Sequence, residues 1–163
     1  MQNSKNNLYD TDYHRWAEQQ KELLRTGQFE RLDIDNLLEE LGEVMANNRH
    51  AMLSQVLHLL THLLKHHYQM TVLNPQRHEP QQFRSWTDSI SDARDQMNLL
   101  LQLSPSLKRE IPNMVGTVYP AAKNSAIRQM NNYLPKAQWL TEASFPDTCP
   151  WQQEQLLDED WLP

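Results

Sequence analysis

Apolar side chains recur three and four residues apart along most of this chain, and that spacing predicts helices rather than strands. The pattern is strongest from Asp33 to Gln69. There Ile34, Leu37, Leu38, Leu41, Val44 and Met45 are followed by Met52, Leu53, Val56, Leu59, Leu60, Leu63 and Leu64. The stripe weakens across residues 46–50, where Asn47, Asn48 and Arg49 intrude. One helix over this whole stretch would be about 54 Å long, so a bend or an overhanging end is expected.

Three further helices flank it. The first starts near Thr11 or Asp12, whose side chains can cap free backbone N–H groups, and carries a stripe of Tyr13, Trp16, Ala17, Gln20, Leu23 and Leu24. Thr26 and Gly27 end it, and the short connection 28–32 predicts an antiparallel neighbour. The long second helix opens at Asp33, with Leu32 and Leu37 placed as a hydrophobic staple. Residues 74–85 read as a polar loop bracketed by Pro75 and Pro80. A third helix follows through Trp86, Ile90, Ala93, Met97, Leu100 and Leu101. Ser104-Pro105 ends it and starts a fourth, through Leu107, Ile111, Met114, Val115, Val118, Tyr119, Ala122 and Ile127. Pro112 and Pro120 each remove a backbone donor, which predicts a kink or break. A short closing helix after Pro150, anchored by Trp151, Leu156 and Leu157, completes the set. The expected architecture is all-α and four-helix bundle-like in a single domain, 1–163. Residues 1–8 are expected to be disordered, and 141–163 to form a tail packed back on the bundle.

Composition agrees with helix and narrows the class. The 163 residues include only three glycines and one cysteine, so no internal disulfide is possible and a reduced, cytoplasmic setting is expected. No apolar run approaches the roughly 20 residues of a membrane span, and the first residues lack the core of a signal peptide. The net charge of -6 is unevenly spread. Residues 1–45 hold five Lys/Arg and ten Asp/Glu, residues 46–140 hold ten and five, and residues 141–163 hold none and six. A basic middle this dilute does not make a nucleic-acid footprint, so DNA or RNA binding is disfavoured. Acidic ends around it suggest termini folded back over the central helices, although ordinary solvated faces explain the same charges.

Several blocks resemble a bacterial family known as domain of unknown function 29. They are LYDTDYHRWAEQQKELLRTGQFERLDIDNLLEELGEV (8–44), HLLTHLLKHHYQ (58–69), SWTDSISDAR (85–94), SPSL (104–107), Tyr119 and FPDTCPW (145–151). They occur in order over nearly the whole chain. The resemblance implies an all-α, bundle-like fold and carries no known activity or site. Two departures stand out: His66 occupies a position where tryptophan is usual, and Pro112 and Pro120 interrupt a helix that is otherwise smooth.

Candidate chemistry gathers on the second helix. His58, His62 and His66 are spaced i, i+4, i+8 along one edge, and imidazoles so spaced can share a zinc or similar divalent ion if Glu39, Glu40, His14 or Asp12 completes the site. His67 falls on the apolar side of the same helix. Neither a His-Glu-x-x-His nor a Glu-x-x-His motif occurs, so no cofactor is predicted outright, and hydrogen-bonded boundary histidines are the plainer reading. Asp33 and Asp35 suit a helix start. Glu39, Glu40 and Glu43 lie deeper and are expected to pair with a base such as Arg94, Lys65 or Arg15. A structural polar network of Asp12, Trp16, Glu40, Lys65 and Arg94 is the resulting expectation. The five tryptophans read as anchors, with Trp161 the best candidate for an exposed contact, and Cys149 reads as a packed thiol.

Three functions compete. A non-enzymatic interaction or oligomerisation module, binding a protein partner or itself, predicts an uncovered apolar strip on the second helix. A metal-binding bundle, and with it a metal-dependent enzyme, would centre on His62. Membership of a toxin–antitoxin or regulatory pair rests on analogy with other small helical proteins alone.

Overall fold

The structure is a computed structural model that describes residues 8–73 and 80–163, with backbone alone for 80–84. The expected disorder of residues 1–7 and the loop 74–79 lie outside the described residues. Leu8 is already helical. Six α-helices are present among the described residues: α1 (Leu8–Thr11), α2 (Tyr13–Arg25), α3 (Ile34–Thr71), α4 (Pro80–Leu103), α5 (Ile111–Asn131) and α6 (Gln153–Leu157). Four 3-10 turns join them, and no strand occurs among the described residues. The chain divides into two compact units, Met1–Asn47 and Asn48–Pro163, and α3 contributes to both.

The helix ends follow local chemistry. Asp12 separates α1 from α2 and accepts the Arg15 N–H at 3.1 Å, the expected N-cap. Gly27, at φ 72°, ends α2 in the left-handed conformation that a side chain would strain. The loop expected over 74–85 ends sooner than the sequence suggests. Helix α4 begins at Pro80, whose fixed φ and missing N–H suit a first helical turn. Proline likewise shapes the fourth helix of the bundle. It opens as a 3-10 turn, Pro105–Glu110, and becomes α-helical at Ile111. Pro112 therefore sits in a first turn, where no N–H is missed, and α5 continues through Pro120.

The unit from Asn48 onward holds the hydrophobic core. Met52, Val56, Leu59, Leu60, Leu63 and Leu64 of α3 pack with Ile90, Ala93 and Met97 of α4 and with Ile111, Met114, Tyr119, Ala122 and Ala126 of α5. Leu140, Phe145 and Leu156 of the C-terminal segment close it. Helix α3 is buried on nearly every face here: Leu59, Leu60, Thr61, Leu63, Leu64, Lys65 and His66 are all inaccessible, with only His62 among them partly open.

The C-terminal segment is held by buried cations that bind carbonyls. Arg94, 2% exposed, donates to Leu156 O (3.0 Å), Gln155 O (3.2 Å) and Glu159 O (3.4 Å). These include final-turn carbonyls of α6, which lack helical partners and carry the negative end of the helix dipole. Lys123 and Tyr119 both donate to Pro146 O, at 3.3 and 3.0 Å, and Lys123 also lies 3.6 Å from the Asp147 carboxylate.

Removing Arg94 leaves buried carbonyls unpaired, so Arg94→Ala should lose roughly 3 kcal/mol of stability in urea denaturation. Arg94→Lys should recover little of it, because an ammonium lacks the guanidinium fork that spans three acceptors. A loss below about 1 kcal/mol in Arg94→Ala would contradict this account.

Candidate functional site

In the unit up to Asn47, α2 and the start of α3 form a helical hairpin. Leu23 of α2 is buried, and the hydrogen bonds and ring contacts that fasten the hairpin are polar and aromatic. Tyr9, Tyr13 and Trp16, spaced four and three apart, stack with centroids 4.8 to 5.9 Å from one another. Both tyrosine hydroxyls donate to Glu40, Tyr9 to Oε1 at 2.8 Å and Tyr13 to Oε2 at 2.6 Å. These two bonds hold the Glu40 carboxyl below its ordinary pKa and push both phenols up. The Trp16 indole N–H donates to Asp33 Oδ2 at 3.1 Å, and the same oxygen accepts from Asn36 at 2.7 Å. Gln20, buried in the stripe of α2, accepts the Asp33 N–H at 2.8 Å.

With the hairpin held this way, most of its apolar side chains stay uncovered. Ile34 (50% exposed), Leu38 (63%), Leu41 (62%), Val44 (58%) and Met45 (73%) are open along α3, as are Tyr13 and Leu24 of α2. Only Leu37 of that α3 stripe is half-buried. Between the helices runs a groove of about 380 Å³ with Trp16, Ala17 and Leu24 on one wall and Leu37, Leu41 and Val44 on the other. Lys21 and Glu40 are the charged residues that line it.

The histidine row lies in the other unit and is divided by its surroundings. His58 is exposed and stacks beside His62, centroids 4.5 Å apart. Burial, aided by nearby Lys65 and His58, pushes the His62 imidazole down to about 4, so it is neutral near pH 7. Among the described residues its Nδ1 has no hydrogen-bond partner, nor has that of His67. The placement of His66 and His67 reverses the expectation. His66 is the buried one, its Nδ1 3.1 Å from Pro163 O, while His67 is half-buried and meets Trp151 edge-on at 6.0 Å. The C-terminal segment covers the flank that a helical wheel assigns to the edge.

Among the described residues no group of three or more His, Cys, Asp or Glu is placed to hold a metal ion. His58 and His62 come together. Glu39 is exposed, Glu40 is taken by the tyrosines, and His14 sits on the surface 3.6 Å from Glu18.

The expected ion pairs of Glu40 with Arg94, Lys65 or Arg15 are also corrected. Glu40 finds phenols because Tyr9 and Tyr13 present two donors on one side of the hairpin. Arg94 takes carbonyls. Lys65, 3% exposed, donates to Gln129 Oε1 at 2.9 Å and lies 4.9 Å from the Trp86 ring centre. The five residues of the expected network, Asp12, Trp16, Glu40, Lys65 and Arg94, thus each have partners of their own. Tyr9, Gln20 and Gln129 are the residues that sequence reasoning missed. Only Gln20 gave a sign, as an amide within an apolar stripe. Among the tryptophans, Trp139 is half exposed, whereas Trp161 packs partly buried against Trp151.

The sequence profile described as Domain of unknown function DUF29 matches residues 8–162. The chain belongs to this family. No curated protein and no solved structure matches the chain. Within this family member, the blocks around Tyr119 and 145–151 help Arg94 of the 85–94 block to fasten the C-terminal segment, through Tyr119, Lys123 and Phe145, the last meeting Tyr68 edge-on at 5.7 Å. Cys149 there is half-buried, and burial pushes its thiol up, away from the reactive thiolate. No helix among the described residues is long and apolar enough to cross a membrane.

Two pH effects follow. Burial lowers the Lys65 ammonium from 10.5 to about 8. Between those values the unfolded chain binds more protons, so this residue makes stability rise with pH across that window. Urea midpoints of wild type and Lys65→Met should therefore shift in favour of wild type from pH 8 to pH 10, and a constant difference would refute the effect. Glu40 acts in the opposite range. Its lowered carboxyl contributes stability above the ordinary carboxylate pKa that is lost on acidification. The melting temperature of Glu40→Ala should thus lie below wild type at pH 7, with the gap closing toward pH 3. An unchanging gap would argue against the two-tyrosine clamp.

Proposed function

We propose that this protein is a non-enzymatic helical interaction module that docks through the apolar face of its α2–α3 hairpin. One observation carries the reading: Ile34, Leu38, Leu41, Val44 and Met45 form a continuous stripe and are each at least half exposed. Singly exposed apolar residues are ordinary, but a contiguous strip beside a groove marks a contact surface. The expense of exposing these side chains in water is offset once another surface covers them. The unit beyond Asn48 supports the role differently. Its core is closed by the C-terminal segment, and its buried polar groups, Arg94, Lys65 and Lys123, are engaged in holding helices and segment together. A reduced, cytoplasmic setting suits the free thiol of Cys149.

The reading is tested by native mass measurement on wild type and Leu38→Asp, each with a circular dichroism control for folding. Wild type should form a stoichiometric complex, with itself or with a defined protein, and bind a hydrophobic dye whenever it is alone. Leu38→Asp should lose the complex and most of the dye signal. If both proteins run as single chains and neither binds dye, the face is not a docking surface.

A further inference from the structure

We infer that the occupant of the hairpin face is a second copy of this chain, paired across a two-fold axis that passes near Leu41. This rests on the docking role proposed above and adds the identity of the partner.

The first argument is area. Tyr13, Leu24, Ile34, Leu38, Leu41, Val44 and Met45 are each between about half and three-quarters exposed. At on the order of 100 Å² apiece they offer roughly 700 Å², close to the ~800 Å² per partner of a standard-sized interface.

The second argument is where the charges fall. Successive residues of an α-helix are about 100° apart, so Val44, Leu37, Leu41, Ile34, Met45 and Leu38 fill one arc of about 120°, with Leu41 near its middle. Asp35, Glu39 and Glu43 fall on the opposite side, and all three are exposed. Two copies brought stripe to stripe would bury leucines against leucines while these acids stay in water. A basic helix from another protein would instead need acids at the rim of the groove. The charged residues lining that groove are one Lys21 and one Glu40, and the Glu40 carboxylate already accepts two tyrosine hydroxyls. A rim of balanced sign suits a copy of itself, because a two-fold axis matches each surface to its own image.

The geometry makes Leu41 a near-axis position and Glu39 a remote one. Sedimentation of the full chain should give twice the 19.3 kDa chain mass, with little dependence on salt. In a Cys149→Ala background, Leu41→Cys should cross-link into disulfide dimers on mild oxidation, and Glu39→Cys should not. Leu41→Asp should raise the dimer dissociation constant at least about thirtyfold, the change expected for a central anchor. If Leu41→Asp fails to fold, the pair of cysteine variants decides the matter alone. A single-chain mass up to about 100 µM overturns the self-pairing, a range well above typical specific affinities. So does a dimer that cross-links equally through Glu39→Cys. A stoichiometric foreign protein seated on the face of single chains overturns the second copy and leaves the docking role standing. Failure of dye to bind single chains removes both.

Discussion

The burial of α3 from Leu59 to His66 on almost every face is the constraint on which the larger unit depends. A helix surrounded on all sides cannot keep a simple polar flank, so Thr61, Lys65 and His66 go inside with the leucines. Each is matched to a particular acceptor or ring. Thr61 donates to Leu57 O, Lys65 to Gln129, and His66 faces Pro163 O. Burying polar groups is tolerable only when they are paired. The C-terminal segment supplies part of that pairing, which is why a stretch with little regular structure is held so closely.

That segment also shows how a carbonyl can replace a carboxylate. The charge pattern of the chain invites ion pairs between a basic middle and an acidic end. Instead Arg94 binds three backbone oxygens, and Lys123 shares Pro146 O with Tyr119 while Asp147 stays exposed. A carbonyl brings no second desolvated charge, so the cation is satisfied at smaller cost than in a buried ion pair. Burial still lowers the Arg94 guanidinium pKa, with Asp158 and Glu159 acting against that.

The helices were legible in the sequence because apolar spacing, Asp12, Gly27 and Pro105 are local signals. The core residues of α3, α4 and α5 followed from the same spacing. What failed was anything requiring knowledge of neighbours. A helical wheel places His67 inside and His66 at the edge, and it has no means of knowing that the C-terminal segment covers the second flank. Glu39, Glu40 and Glu43 invite cationic partners because charge is visible in a sequence, whereas the phenol orientation that pairs Tyr9 and Tyr13 with Glu40 is not. The start of α4 at Pro80 is ambiguous in the sequence because a proline marks both the end of a loop and the first turn of a helix. An uncovered strip on α3 is an expectation of one function, and its position at Ile34–Met45 is visible only in the structure.

The same helix therefore meets two environments along its length, and residues 46–50 mark the change. Before them the apolar stripe has one half-buried leucine, Leu37; after them Met52, Val56, Leu59, Leu60, Leu63 and Leu64 are buried. Solvent exposure of the first stripe is not a requirement of folding the second unit, whose core is complete without it. Nor does the hairpin need those side chains for its own cohesion, since phenols, an indole and an amide fasten it through Glu40 and Asp33. The side chains of Ile34, Leu38, Leu41, Val44 and Met45, left open among the described residues, carry an energetic cost in water. The proposed docking partner would remove this cost, and a polar clamp that fixes the hairpin beforehand would spare that contact the entropy of ordering it.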